Sequence, residues 1–354
     1  MIRTAFRCIL MMSSFAVALH AENDPLNARI DSLFSRFNKP DVPGVSVVVV
    51  QDGKVVLHRS YGMADIEKQV ACATNTNFRL ASVTKQFTAM AVLVLAENQR
   101  LSLDETVPDF FPEFPEYGRQ IRLKHLLNHT SGIIDYEDII PTGTVMPVLD
   151  RDVLRLLMQQ QKTYFEPGSA YRYSNSAYAL LALIVEVRSG RTFARFLKEN
   201  IFDPLKMKDT LAYEQGSSAI ARRAYGYTAE GAAFKPSDQS LTSSVLGDGG
   251  IYSSTTDLIQ WALALDGGKL ISEPLLRQAF TPSVDSDKRG VSYGFGWYLQ
   301  TEHGLRKQWH TGSTRGFNSL IVRYPEKRLN IILLANRSEA DLVETGQRLA
   351  EIYL

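Results

Sequence analysis

Ser82, Val83, Thr84 and Lys85 place a hydroxyl and an amine three residues apart at the start of an apolar run that reaches about Asn98. On a helix, residues at that spacing share a face, so the Lys85 amine can sit over the Ser82 hydroxyl. A serine hydroxyl is a poor nucleophile until a neighbouring base takes its proton. A lysine can serve, or assist, if desolvation and nearby charge lower its pKa. The start of a helix also favours negative charge developing at Ser82. The string is weak on its own, because a serine that merely caps a helix before a solvated lysine spells the same thing.

Two further stretches could meet it. Tyr173-Ser174-Asn175 follows Pro167-Gly168 in a loop before a helical run. A tyrosinate beside ammonium groups can act as general base, and an Asn amide can hold a substrate carbonyl. The plainer reading of Tyr173 is a buried aromatic whose hydroxyl finds a partner. His310-Thr311-Gly312 enters a late pair of strands, where it can set two polar side chains and an unhindered backbone along one wall of a cleft. Ser-x-x-Lys, Tyr-x-Asn and His-Thr-Gly each occur once, in that order.

The elements that must position these residues are legible from periodicity. A helix is expected over Leu26–Phe37. Val45–Val50 reads as a β-branched strand, Asp52-Gly53 as its turn and Lys54–Ser60 as the return. Helices are expected over 121–128, 148–160, 177–189 and 193–200, with Gly190 as a stop. Phe317–Tyr324 and Leu329–Ala335 form a hairpin across Pro325-Glu326-Lys327, and a helix over Ala340–Tyr353 closes the chain. Strands at both ends with helices between predict an α+β fold: an antiparallel sheet built from both termini, flanked by helices, with an inserted, mostly helical lobe. That divides the chain into an α/β lobe of roughly 26–105 and 285–354 and a helical lobe of roughly 106–284. A cleft between lobes is where small-molecule chemistry usually sits.

Bulk properties narrow the function further. The 354 residues are 45% apolar and 22% charged, with a formal charge of +1 and no long basic run. Nucleic acid and anionic membrane therefore have no electrostatic claim, and the substrate is expected to be a small molecule or a peptide. Arg3 and Arg7 precede an apolar stretch from Cys8 to Leu19, which is too short to span a bilayer. It reads as a signal peptide over residues 1–21, so an exported, periplasmic or secreted enzyme is expected, with no other membrane span. An uncleaved anchor is the alternative. Cys72 is then alone in the remaining chain and reads as inert packing.

Together the three motifs resemble the signature elements of the penicillin-recognising serine enzymes. The tyrosine form of the second is similar to class C β-lactamases and their DD-peptidase and esterase relatives. Leu126–Gly132, Gly247-Asp248-Gly249-Gly250 and Tyr293-Gly294-Phe295-Gly296-Trp297 are similar to further family landmarks, and the resemblance runs over roughly residues 26 to 350. It implies a β-lactamase-like domain over residues 22–354 with Ser82 as nucleophile and Lys85 as its proton partner. Tyr173 would be general base in acylation and proton donor to the leaving group. Asn175 would bind the acyl side, while His310 and Thr311 line the opposite wall. Backbone N–H groups of Ser82 and Ser313, beside Gly312, would form an oxyanion hole, each donor worth about 3 kcal/mol. No cofactor or metal is implied. His310 stands where true β-lactamases usually carry Lys, which lowers the expectation of efficient β-lactam hydrolysis. The implied substrates are D-alanyl-D-alanine peptides for a carboxypeptidase, short acyl esters for an esterase and, third, β-lactams. A silent β-lactam or peptide sensor is the rival from another class.

Several other strings are set aside. Gly290-Val291-Ser292-Tyr293-Gly294 spells G-x-S-x-G, but the following residues read as strand where that motif needs a helix. His125 and His129 have zinc-helix spacing without the intervening Glu or a third ligand. Glu166 reads as a loop residue, and Arg315 and Arg323 read as surface charge.

Overall fold

The protein is described by a computed structural model covering residues 25–216 and 219–354, so the expected signal peptide lies outside the described residues. Val45–Gln51 (β1) is valine-rich and buried on both faces, which suits β-branched side chains on a pleated surface. Asp52 and Gly53 both take positive φ, 50° and 74°, the conformation a two-residue turn needs to match strand twist. Lys54–Tyr61 (β2) returns beside β1. The other five strands come from the far end of the chain: Val291–Tyr293 (β3), Tyr298–Glu302 (β4), Leu305–Thr314 (β5), Phe317–Tyr324 (β6) and Leu329–Ala335 (β7).

These seven form one antiparallel sheet in the order β3-β4-β5-β6-β7-β1-β2. Early and late parts of the chain meet between β7 and β1, one strand in from the edge, where Val45 lies opposite Ala335 and Gln51 opposite Leu329. The expected sheet built from both termini is therefore present. Alternation along the strands divides the interior in two. Val47, Val49, Leu320 and Leu333 face the helices Pro25–Phe34 (α1) and Leu342–Tyr353 (α6). Val48, Ile321 and Ile332 face a larger core containing Lys85–Glu97 (α2), Asn175–Ser189 (α4) and Thr255–Gly267 (α5). A further helix, Asp150–Met158 (α3), packs beside α4.

Helix α2 is buried from Lys85 through Leu95, so it must sit inside the molecule rather than on it. Gly190, at φ 66°, ends α4 as expected, its N–H donating to the Glu186 carbonyl. The helix expected over 193–200 is α-helical only from Phe193 to Leu197, and a π turn over Lys198–Phe202 continues it. No helix among the described residues is long and apolar enough to cross a membrane.

Candidate active site

Ser82 does not open an α-helix. Ala81–Thr84 form a 3-10 turn that feeds α2 at Lys85. A 3-10 turn has three residues per turn, so side chains three apart eclipse, which lifts Lys85 over Ser82 more directly than an α-helix would. Ala81, just before Ser82, takes φ 47°, a left-handed backbone that a side chain resists. The strain is held from both sides. Leu80 N–H donates to the Ile251 carbonyl at 2.8 Å, and Ser319 Oγ donates to the Leu80 carbonyl at 2.6 Å.

The Lys85 amine is fully buried and has three neighbours: Ser82 Oγ at 3.2 Å, Asn175 Oδ1 at 2.8 Å and the Asp248 carbonyl at 3.0 Å. It also lies 4.8 Å from the centre of the Tyr173 ring. Burial pushes its pKa down to about 8, against the pull of Asp248, Asp135 and Glu137. An amine at that value exchanges its proton near neutral pH. Tyr173 is half-buried as a residue, but its phenol is enclosed and hydrogen-bonded to Ser82. Its pKa is raised, first by burial, while the Ser82 bond opposes the rise. Tyr173 is therefore a protonated phenol at rest.

Asn175 opens α4, with Ser174 as the cap whose side chain accepts from the Ala177 N–H. The Asn175 N–H donates to Asp135 Oδ2 at 2.6 Å, and its side chain meets Glu137. The side-chain oxygen therefore points to Lys85 and the amide nitrogen to the Glu137 carboxylate.

On the opposite side, β5 outruns its neighbour β4, whose last pair is Tyr298 with Trp309, so from His310 onward one edge of β5 is unpaired by β4. Gly312 brings this edge against the Ser82 turn. A Cβ there would come 3.1 Å from the Ser82 amide nitrogen and would overlap the Leu80 carbonyl and Ser319 Oγ. Only glycine permits that approach. Ser313 is exposed and Thr311 half-buried. His310 is 1% exposed. Its Nδ1 lies 2.6 Å from the Thr311 carbonyl, which can only accept, so Nδ1 carries the hydrogen and Nε2 accepts from Tyr293 Oη at 2.9 Å. Burial, and then Lys85, press its pKa down to about 3. Both nitrogens of a neutral ring are thus committed within the protein, and His310 braces the wall from beneath rather than offering charge at its surface.

A family profile described as Beta-lactamase matches residues 30–354. The chain belongs to the Beta-lactamase family. Its relatives include a penicillin-binding protein from Bacillus subtilis, 32% identical over 88% of this chain and 72% of that protein. A D-aminopeptidase from Brucella anthropi is 32% identical over 88% of this chain and 59% of its own length, so the chain spans less than two thirds of that relative. Among solved structures, a penicillin-binding protein from Bacillus halodurans superposes with a TM-score of 0.78 at 25% identity, covering 93% of this chain and 99% of that one. The family and its hydrolase relatives make this chain a serine hydrolase.

Ser82, Lys85, Tyr173, Asn175 and Gly312 are thus brought together, with His310 one layer deeper. The chemistry that the set-aside strings spell is not present, although Tyr293 and His129 from two of them support the site. Ser292 lies within strand β3 and its hydroxyl donates to the Leu299 carbonyl. His125 uses its Nδ1 to accept the Arg122 N–H, and no group of metal-binding side chains occurs among the described residues. Arg323 requires a correction. It is 4% exposed rather than a surface charge, and donates to Asp266, Gln308 and Asn330. Its charge is matched inside the fold, where type and position in sequence gave no sign of a partner.

Most of the supporting layer carried no signal in the sequence, although His129 lay in two strings already marked. His129 is fully buried at φ 59°, its Nδ1 accepting the Ser174 N–H at 3.1 Å. Its Nε2 has no hydrogen-bond partner and lies among the rings of Tyr173, Tyr293 and Tyr178, at 4.3, 4.5 and 5.1 Å between centres. Asp135 and Asp248 also hold the site, and only Asp248 lay in a string already marked.

Proposed function

We propose that the protein hydrolyses peptide, amide or ester bonds through an acyl-enzyme on Ser82, with peptides ending in D-alanyl-D-alanine as its first substrates. The three contacts of the Lys85 amine carry the reading. The Asn175 oxygen and the Asp248 carbonyl can only accept, so both fix amine hydrogens. The third position alone is free to change: an ammonium donates to Ser82 there, and a free amine accepts the Ser82 proton. Ser82 Oγ then attacks the acyl carbon, and the Tyr173 hydroxyl passes its proton to the departing amine or alkoxide. Water hydrolyses the ester in the reverse sense. Backbone N–H groups of Ser82 and Ser313 receive the oxyanion in this reading, which the tight seat of Gly312 on the Ser82 turn supports.

A second reading, cleavage of D-aminoacyl amides bearing a free amine, is favoured by one observation. Asp135 and Glu137 put two carboxylates beside Asn175, on the side proposed for the acyl group. A substrate ammonium would be attracted there, and a D-aminopeptidase is among the relatives. We also propose export, on the leader alone.

The test is mass spectrometry of the Ser82 peptide after incubation with a D-Ala-D-Ala peptide, a D-alanine amide, p-nitrophenyl acetate and a penicillin. An adduct on Ser82 with either D-residue substrate supports the proposal, and the better of the two decides between the readings. An adduct with the ester alone makes the protein an esterase. Turnover without Ser82, measured in Ser82→Ala, overturns the mechanism.

A further inference from the structure

Asp248 is a buried acid that the acyl transfer itself does not touch. It lies in the short turn Leu246–Gly249, whose neighbouring groups are fixed from three sides. Asp150 accepts the N–H groups of Leu246 and Gly247 at 2.8 and 3.0 Å. Thr88 of α2 donates to the Gly247 carbonyl at 2.7 Å, and Arg79 to the Gly249 carbonyl at 3.2 Å. A Cβ on Gly247 would sit 2.7 Å from Ala182 Cβ, so the turn is also pressed onto α4. Asp248 therefore cannot drift relative to α2, and its carbonyl stays on Lys85.

The side chain of Asp248 is 7% exposed, and Oδ2 accepts from Tyr136 Oη at 2.9 Å. A carboxylate removed from water must find a counter-charge or hold a proton. Around it are Lys85, Asp150, Tyr136 and Glu137; burial raises its pKa, and Lys85, the one cation, is the chief influence against that rise. Around Lys85 the acids are Asp248, foremost, then Asp135 and Glu137. His129 and His310 also face the amine, and burial keeps both neutral. Each member of the Lys85–Asp248 pair is thus the principal opposite charge of the other. The Asp248 carbonyl anchors the amine in place, and its carboxylate acts on the amine's charge.

We propose that Asp248 is a positioning residue whose carboxylate holds Lys85 as an ammonium and so sets the pH above which Ser82 can be acylated. This rests on the reading that Lys85 takes the Ser82 proton. A single negative charge beyond direct contact but on a neighbouring residue, at an effective dielectric of about 20, is worth about one to two pKa units. Its removal lets the amine lose its proton at lower pH. The site then works further into acid.

The experiment measures kcat/KM for p-nitrophenyl acetate from about pH 5 to about pH 10 in the parent, Asp248→Asn and Tyr136→Phe, with circular dichroism on each. Asn keeps the shape and can still accept from Tyr136, so its acid limb is expected about one to two units below the parent's. Tyr136→Phe removes the carboxylate's hydrogen bond, so Asp248 holds its proton to higher pH and the limb moves the same way by less. A folded Asp248→Asn whose midpoint coincides with the parent's overturns the proposal. If that variant does not fold, an unmoved midpoint in Tyr136→Phe does so instead. Loss of the underlying reading looks different: Lys85→Ala would then retain the parent's turnover and acid limb, whatever Asp248→Asn does.

Discussion

Gly312→Ala is the sharpest test of how the site is assembled. The added methyl would meet the Leu80 carbonyl oxygen and Ser319 Oγ more than 1 Å inside the 3.4 Å at which ordinary contacts begin. Neither obstacle is a flexible side-chain tip. The carbonyl belongs to the residue before the strained Ala81, and the hydroxyl is tied to that same carbonyl. The strand must therefore retreat from the turn that holds Ser82, by something near an ångström. A misplacement of that size costs on the order of 100-fold in rate, about 2.7 kcal/mol at the transition state. Forcing extra volume into a packed site costs a further 1–3 kcal/mol or so of stability. The assay is kcat/KM on a p-nitrophenyl ester beside a thermal melt. Gly267→Ala serves as control: its Cβ would meet nothing nearer than Lys269 Cγ at 3.9 Å, at the last residue of α5. That change should leave activity alone and keep or slightly raise the melting point. If Gly312→Ala stays within about threefold of the parent at an unchanged melting point, the close seating of β5 on the Ser82 turn plays no part in the chemistry.

Four further outcomes are expected. Ser82→Ala should lose on the order of a millionfold of p-nitrophenyl acetate turnover, and retention of even a tenth would remove Ser82 from the mechanism. Ser292→Ala should keep most activity, since that hydroxyl is spent on the Leu299 carbonyl; loss of activity in a folded variant would revive the G-x-S-x-G reading. Because burial lowers the Lys85 pKa to about 8, the amine is charged below that pH, and kcat/KM should fall about tenfold per unit on the acid side, as a stopped-flow pH series would record. Asp266→Ala leaves the Arg323 guanidinium buried without its carboxylate and should cost about 3–5 kcal/mol in urea unfolding, with kcat little changed.

What was legible in the sequence follows from how each residue is used. The last hairpin was read to the residue, because Leu329–Ala335 is apolar throughout and Pro325-Glu326-Lys327 punctuates it. Strand β5 was harder. Leu305-Arg306-Lys307-Gln308-Trp309-His310-Thr311-Gly312 has no clear apolar period, because this strand borders the cleft and hides polar groups with tertiary partners. The motif residues announced themselves by type and spacing. Their supports did not: an Asp reads as surface, and nothing local marks Asp248 as enclosed between α2 and α4 or His129 as locked among three tyrosines. The strained backbone at Ala81 is equally silent, since alanine is the residue least expected to signal a left-handed turn.

The pairing of β1 with β7, so far apart along the chain, bears on how the molecule is made. β1 leaves the ribosome well before one of its two partners, β7, has been made. Until residue 335 is available, β1 can pair only with β2, and a lone two-stranded hairpin is marginal in water. Closure across so long an intervening stretch is slow, and the growing chain carries an open valine-rich edge in the meantime. The sheet therefore closes late, and the Ser82 turn gains its seat on β5 only after residues 305–314 have been made.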